Sequence, residues 1–332
     1  MPRSVPYPTE SDFAAAREVV SRYLTPTPLV PSPVRRRGWL KLETFQPTGS
    51  FKVRGALAAL AAAPADRQVI SASAGNHALG MAFAARALDR RVQVIVPETA
   101  SEAKLEALRT LPVQLVTHGE SFDEAEMWAV SRADAPAKDV DFVSPYNDPH
   151  VIAGQATILD EIVAQMPIDR PLTVVAGAGG GGLLSGLGLR ASQLTSDARP
   201  IRVIGVEAEA SPAISSAIEA GQTEIIEIDP TLADGLAGNL EEGSITAELI
   251  ARHVAEVVQV TEDDIAAAIR WLVKHHGVVA EGAGAVPVAA LQTGVIDDAY
   301  LDGEVVAVIS GRNIALDTLA DVLKGEDIVY DE

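Results

Sequence analysis

The chain of 332 residues contains no cysteine, which excludes disulfides, thiol nucleophiles and thiolate metal sites. Aromatic residues are only 4% of the total, so a core has to be assembled from Ala, Val, Leu and Ile. Basic residues are outnumbered 26 to 46, and a net charge of −20 does not fit nucleic acid or an anionic membrane as the main partner. Long hydrophobic runs are also missing. The least polar stretch, Val174 to Leu189, is Gly-rich and too short to cross a bilayer. The opening Met1-Pro2-Arg3-Ser4-Val5-Pro6 lacks the apolar core of a signal peptide, so a soluble, cytoplasmic protein is expected. Lysine is scarce too, with six against twenty arginines.

What is present describes a globular protein: 48% apolar and 22% charged residues, with enough chain for one large or two ordinary domains. Short β-branched runs alternate with Ala- and Leu-rich segments. Strands are expected at 68–71, 92–96, 113–117, 172–176, 202–206 and 305–309. Helices are expected at 76–87, 102–110, 122–133, 150–165, 183–194 and 262–274. This rhythm predicts parallel sheets covered by helices. Turn residues cluster at Pro145-Tyr146-Asn147-Asp148-Pro149, a candidate crossover between two α/β lobes with a cleft between them.

Lys52 stands between Thr48-Gly49-Ser50-Phe51 and an apolar run of Val53, Ala56, Leu57 and Leu60. A lysine that loses solvation there has a lowered pKa and a nucleophilic amine, able to form an imine with a carbonyl. A lysine at a helix start that snorkels to water satisfies the same spacing. Gly177-Ala178-Gly179-Gly180-Gly181-Gly182 lies between a strand and a helix, where successive glycines and free helix N–H groups suit a phosphate. The same stretch satisfies G-x-G-x-x-G at 177, 179 and 182, and Glu207 ends the next strand where a dinucleotide fold places its ribose-binding acid. A nicotinamide-dependent oxidoreductase is therefore a rival reading of this motif. Ser73-Ala74-Gly75-Asn76-His77 opens another helix, with N–H groups suited to a carboxylate.

Taken together, these stretches resemble the fold-type II pyridoxal-phosphate enzymes, in the serine/threonine dehydratase and serine racemase branch. The likeness rests on Lys41-Leu42-Glu43, Gln46-Pro47-Thr48-Gly49-Ser50-Phe51-Lys52-Val53-Arg54-Gly55-Ala56, the Ser73 to His77 loop and the tetraglycine at 179–182, in family order. Thr27-Pro28-Leu29, Gly154-Gln155, Asp234-Gly235-Leu236 and Glu281-Gly282 extend it. The resemblance implies an α/β protein of two open twisted domains with pyridoxal 5'-phosphate in the cleft between them. A large cofactor-binding domain of residues 1–73 with 148–332 and a small mobile domain of 74–147 are expected. It also implies a homodimer acting on a small amino acid; because the chain stops soon after the catalytic part, no allosteric module is expected.

Roles follow from the resemblance. Lys52 would carry the imine to the cofactor and move the Cα proton. Gly179, Gly180, Gly181 and Gly182 would hold the phosphate, Asn76 the ring hydroxyl, Phe51 the ring face, and Ser310 the pyridine nitrogen. Ser73, Gly75, Asn76 and His77 would grip the substrate carboxylate. Asp234, Gly235, Glu281 and Arg312 are further candidates beside the substrate. A hydroxyl facing the pyridine nitrogen leaves the ring a weaker electron sink than an aspartate would, which favours expulsion of a β-substituent. β-Elimination of threonine or serine to a 2-oxo acid and ammonia is the expected reaction.

Departures narrow the choice. Racemases of this branch carry a serine at the position of Ala74, which cannot exchange a proton. The divalent-metal members carry an acid at the position of Ala213, so that site is incomplete beside Glu207, and no metal is expected. Arg312 replaces a glycine after Ser310-Gly311. It either meets a second substrate carboxylate, as in a hydroxyaspartate, or points away to the surface.

Overall fold

A computed structural model describes residues 3–100, 102–133, 140–167 and 169–325. Ten strands form two sheets among these residues. They are β1 (Leu29–Ser32), β2 (Gly38–Leu42), β3 (Gln68–Ala72), β4 (Val92–Val96), β5 (Gln114–Thr117), β6 (Val140–Phe142), β7 (Leu172–Gly177), β8 (Ile201–Ala208), β9 (Glu256–Val260) and β10 (Glu304–Ile309). The helices are α1 (Glu10–Tyr23), α2 (Lys52–Ala62), α3 (Asn76–Leu88), α4 (Glu102–Arg109), α5 (Phe122–Ala133), α6 (Pro149–Gln165), α7 (Gly182–Leu194), α8 (Ala213–Ala220), α9 (Thr246–His253), α10 (Glu262–His276), α11 (Gly282–Thr293) and α12 (Leu316–Lys324).

The larger sheet has the order β1-β2-β10-β7-β8-β9, and the smaller one β5-β4-β3-β6. Every pairing is parallel except the edge hairpin of β1 with β2. β7 and β10 are buried at every position because helices cover both faces of the large sheet, so they read as unbroken apolar runs. Val175, Val305 and Ala307 join the core on the α10–α11 side, while Val174, Val306 and Val308 join the one under α6 and α7. The small sheet divides in the same way, with Val69 and Val94 packed on α2 and α3, and Ile70 and Ile95 on α5. These cores are built of Ala, Val, Leu and Ile, as the shortage of aromatics requires.

β3 pairs with β4 and β6, so the strand that the expected boundary at 73/74 assigns to the larger part belongs to the small sheet. The expected spans also contain residues 1–2, 101, 134–139, 168 and 326–332, which lie outside the described residues.

Where the two sheets meet, α2 is fixed by charge. Arg54, fully buried, donates to both carboxylate oxygens of Glu43 at 2.7 and 2.8 Å and to those of Glu161 at 2.6 and 2.8 Å. Lys41, also fully buried, adds a 2.6 Å bond to Glu161 and a 2.9 Å bond to the Thr27 carbonyl. Two cations balance two anions, and hydrogen bonds occupy their remaining donors, the condition under which buried charge is tolerated. The group ties β2, α2 and α6 together and sets the position of Lys52, two residues before Arg54.

Candidate active site

A cavity of about 530 Å³ opens between the two sheets, at the carboxyl ends of their strands. Lys52 lines it at the start of α2, half-buried, donating from Nζ to the Pro145 carbonyl at 3.0 Å. Burial lowers its pKa to about 8, with the Glu281 carboxylate opposing the fall. The amine also lies 5.4 Å from the centroid of the Phe51 ring. Lys52 is thus a desolvated amine in a cleft and not a snorkelling surface residue.

The glycine loop follows β7 and enters α7 from the same cavity. A Cβ at Gly180 would lie 2.4 Å from the Tyr146 ring, and one at Gly179 2.8 Å from the Leu236 backbone. Gly181 has φ +83°, which a side chain would strain. The loop is thereby held close to Tyr146, Leu236 and Thr246, and the first turn of α7 presents N–H groups that no helix carbonyl can accept. Tyr146 is fixed in turn, its hydroxyl accepting from the Glu241 N–H at 2.7 Å.

Opposite in the fold, β3 leads into the Ser73 to His77 loop. Ser73 Oγ accepts from the N–H groups of Gly75 at 3.2 Å and Ala78 at 3.3 Å, shaping the start of α3. His77 is 2% exposed, and neither ring nitrogen has a partner. Burial, with Lys52 nearby, lowers its pKa to about 3, so the imidazole is neutral. Asn76 donates to Glu281 Oε1 at 2.7 Å. Glu281 is pushed up to about 7, chiefly by burial and then by Asp234. Ser310 follows β10, and its hydroxyl donates to the Ala283 carbonyl at 3.3 Å.

All four loop glycines, Phe51, Lys52, Ser73, Gly75, Asn76, His77, Asp234, Gly235, Glu281 and Ser310 therefore line one cavity. Arg312 does not line it. Its side chain is exposed, and its backbone N–H bonds the Gly49 carbonyl at 2.9 Å. Glu207 is also elsewhere. Fully buried, it accepts from the Ile214 N–H at 2.7 Å and from the Ser215 hydroxyl, holding the start of α8. The acid expected for a ribose is committed to that helix end.

Asn313, Leu79, Leu108 and Asn239 also line the cleft without having been singled out from the sequence. Asn313 lies three residues after Ser310 in the same motif, which was the available signal.

A family model described as "Pyridoxal-phosphate dependent enzyme" matches residues 20–311. The chain belongs to that family. The match favours pyridoxal phosphate over a dinucleotide as the cofactor of this chain. An L-threonine ammonia-lyase of Thermotoga maritima is 41% identical over 289 residues, 86% of this chain and 69% of its own length. Among solved structures, a threonine deaminase of T.th. is 32% identical with a TM-score of 0.81, covering 93% of this chain and 99% of that one. Maize serine racemase is 25% identical with a TM-score of 0.83, covering 96% and 98%.

The residues fit the family's cofactor. A glycine cradle and helix N-terminus suit its phosphate, Lys52 suits its aldehyde, and the two unpartnered His77 nitrogens show polar capacity left for a ligand. Among the described residues, no helix is long and apolar enough to cross a membrane.

Proposed function

We propose that this pyridoxal-phosphate enzyme is an ammonia-lyase acting on a small β-hydroxy amino acid, threonine or serine. The observation that carries the reading is Lys52, an amine with a pKa near 8 lining the same cavity as the Gly179 to Gly182 cradle. Bound there, pyridoxal phosphate supplies an aldehyde that amines can condense with and a sink for charge developing at Cα.

The chain's own residues do the rest. N–H groups around Gly179 to Gly182 would hold the phosphate, Asn76 the ring hydroxyl and Ser310 the pyridine nitrogen, and Phe51 would pack against the ring. Ser73 and the N–H groups of Gly75 to His77 bind the substrate carboxylate at the start of α3. Lys52 takes the proton from Cα, its pKa lowered to about 8 leaving a fraction of the amine free to act as a base near neutral pH. That proton and the β-hydroxyl leave as water, and the released enamine takes up water to give a 2-oxo acid and ammonia.

Racemisation, the activity named for the maize structure, needs a second proton donor at Cα. Ala74 lines the cleft with only a methyl group. Ala74→Ser is expected to add Cα inversion detectable by chiral chromatography. A hydroxyaspartate is disfavoured because Lys52 is the one cationic side chain among the described lining residues, and Arg312 lies outside.

The unit built on the small sheet, residues 74–147 together with β3, is the smaller mobile domain in this reading. The large sheet belongs to the cofactor-binding part, residues 1–73 and 148–332 with β3 set apart. The enzyme works in the cytoplasm as a homodimer, which sedimentation would test. A panel of amino acids assayed for 2-oxo acid and ammonia tests the reaction. Turnover of threonine or serine that disappears in Lys52→Ala is expected, and a cofactor-loaded protein inert toward both would overturn the reading.

A further inference from the structure

Asn313, Asn76 and Glu281 close a ring of hydrogen bonds at the wall of the cleft, anchored outside it by the Thr48 carbonyl. Asn313 Nδ2 donates to the Thr48 carbonyl at 2.9 Å and to Asn76 Oδ1 at 2.5 Å. Asn76 Nδ2 donates to Glu281 Oε1 at 2.7 Å, and Glu281 Oε2 accepts from the Asn313 backbone N–H at 2.9 Å.

The direction of each bond is fixed by chemistry. A backbone carbonyl can only accept, so the Asn313 amide must turn its nitrogen toward Thr48. Both hydrogens of that nitrogen are then committed, one to Thr48 and one to Asn76. Asn76 must present its oxygen to Asn313, which turns its nitrogen toward Glu281. An ionised Glu281 favours the same orientation, but a protonated one can donate to the Asn76 oxygen instead, so the Thr48 carbonyl acting through Asn313 is the fixed determinant. One hydrogen of the Asn76 amide is spent on Glu281, and the other remains for the cleft.

Space for the ring is kept by two glycines. A Cβ at Gly49 would lie 2.4 Å from Asn313 Oδ1, and one at Gly311 2.3 Å from Glu281 Oε1. Gly49 also has φ +77°, so a side chain is excluded there twice over.

We propose that Asn313 is a positioning residue, fixing the rotation of the Asn76 amide so that Asn76 offers the bound cofactor an N–H and not a carbonyl. Without Asn313, the Asn76 amide can flip and present an acceptor to the cofactor's ring hydroxyl, or turn toward water. The inference rests on the reading of the cleft as a pyridoxal-phosphate site.

A double-mutant cycle on the full chain tests it, using pyridoxal phosphate as the probe. Its dissociation constant and the pH midpoint of the bound cofactor's absorption band are measured for wild type, Asn76→Ala, Asn313→Ala, Asn313→Asp and Asn76→Ala/Asn313→Ala. Asn313→Asp keeps the shape without a side-chain donor but adds a charge, while Asn313→Ala loses the donor without one, so a shared effect belongs to the hydrogen bond. Both Asn313 variants are expected to weaken binding about tenfold, as for loss of one well-placed hydrogen bond. They should move the midpoint in the direction Asn76→Ala moves it. In the Asn76→Ala background, removing Asn313 should change the dissociation constant by less than about twofold and leave the midpoint unmoved. Wild-type affinity and midpoint in Asn313→Asp, or full additivity in the double variant, would overturn the inference. Failure of the wild type to bind pyridoxal phosphate at Lys52 would instead remove the reading beneath it.

Discussion

Ser310 donates its hydroxyl hydrogen to the carbonyl oxygen of Ala283, and the reason that oxygen is available lies in α11. Residue 287, which would supply its helical N–H, is proline. Ser310 thus completes the hydrogen bonding of a buried helix while lining the cleft.

Ser310→Ala is expected to lower stability by about 1 kcal/mol, the worth of one neutral hydrogen bond. In a Pro287→Ala background the helix regains its own donor, and the cost of Ser310→Ala should fall toward zero. Urea unfolding of the four proteins measures both numbers, and an unchanged cost in the second background would show that Ser310 does not serve Ala283.

Lys52 should react with an amine-selective reagent with a midpoint near pH 8 in the cofactor-free protein. Burial disfavours its charged form, so between about 8 and the ordinary 10.5 the unfolded chain holds a proton that the folded one has released. The contribution of Lys52 to stability therefore rises with pH across that window. Labelling followed by mass spectrometry of the Lys52 peptide gives the midpoint, and a value near 10.5 would contradict the burial argument.

Glu281 has the opposite sign. With its pKa raised from 4.5 to about 7, the folded chain keeps a proton that the unfolded chain has lost. This residue's contribution to stability falls as pH rises between those values. Glu281→Gln should flatten that part of the stability profile of the cofactor-free protein, measured by urea unfolding at pH 5 and 7.5. An identical slope in wild type and variant would contradict it.

Asp234 is exposed at the cleft and, with Glu281, gives its wall a negative character. A substrate with a second carboxylate should be turned over poorly. Asp234→Asn is expected to raise kcat/KM for 3-hydroxyaspartate relative to threonine by about tenfold, the scale of one screened charge contact. Arg312→Gly should alter both substrates in proportion. A selective loss of hydroxyaspartate turnover in Arg312→Gly would place Arg312 at the substrate after all.

Much of this site was legible in the sequence because its chemistry is local. The glycines of 179–182 adjoin a strand and a helix, and Lys52 adjoins its own turn. The central strands were legible because burial on both faces leaves β-branched runs with no polar break. β2 escaped because it carries Lys41, whose burial depends on Glu161, a partner 120 residues away. α11 escaped behind Pro287 and its glycines, since the Ser310 hydroxyl that offsets the missing N–H comes from another element. Glu207 looked like a ribose ligand until folding brought the start of α8 onto it. Nearness to Ser310 was the one local sign for Asn313, and its positioning role stayed hidden because its partners Thr48 and Asn76 are 265 and 237 residues distant.

The central claim is that the Lys52 amine holds the cofactor in this cleft. Borohydride reduction of the purified protein, followed by digestion and mass spectrometry, tests it most directly. The account predicts loss of the cofactor's absorption band and one modified peptide, with the reduced pyridoxyl group on Lys52. A colourless protein, or a pyridoxyl group attached to any other lysine, would contradict it.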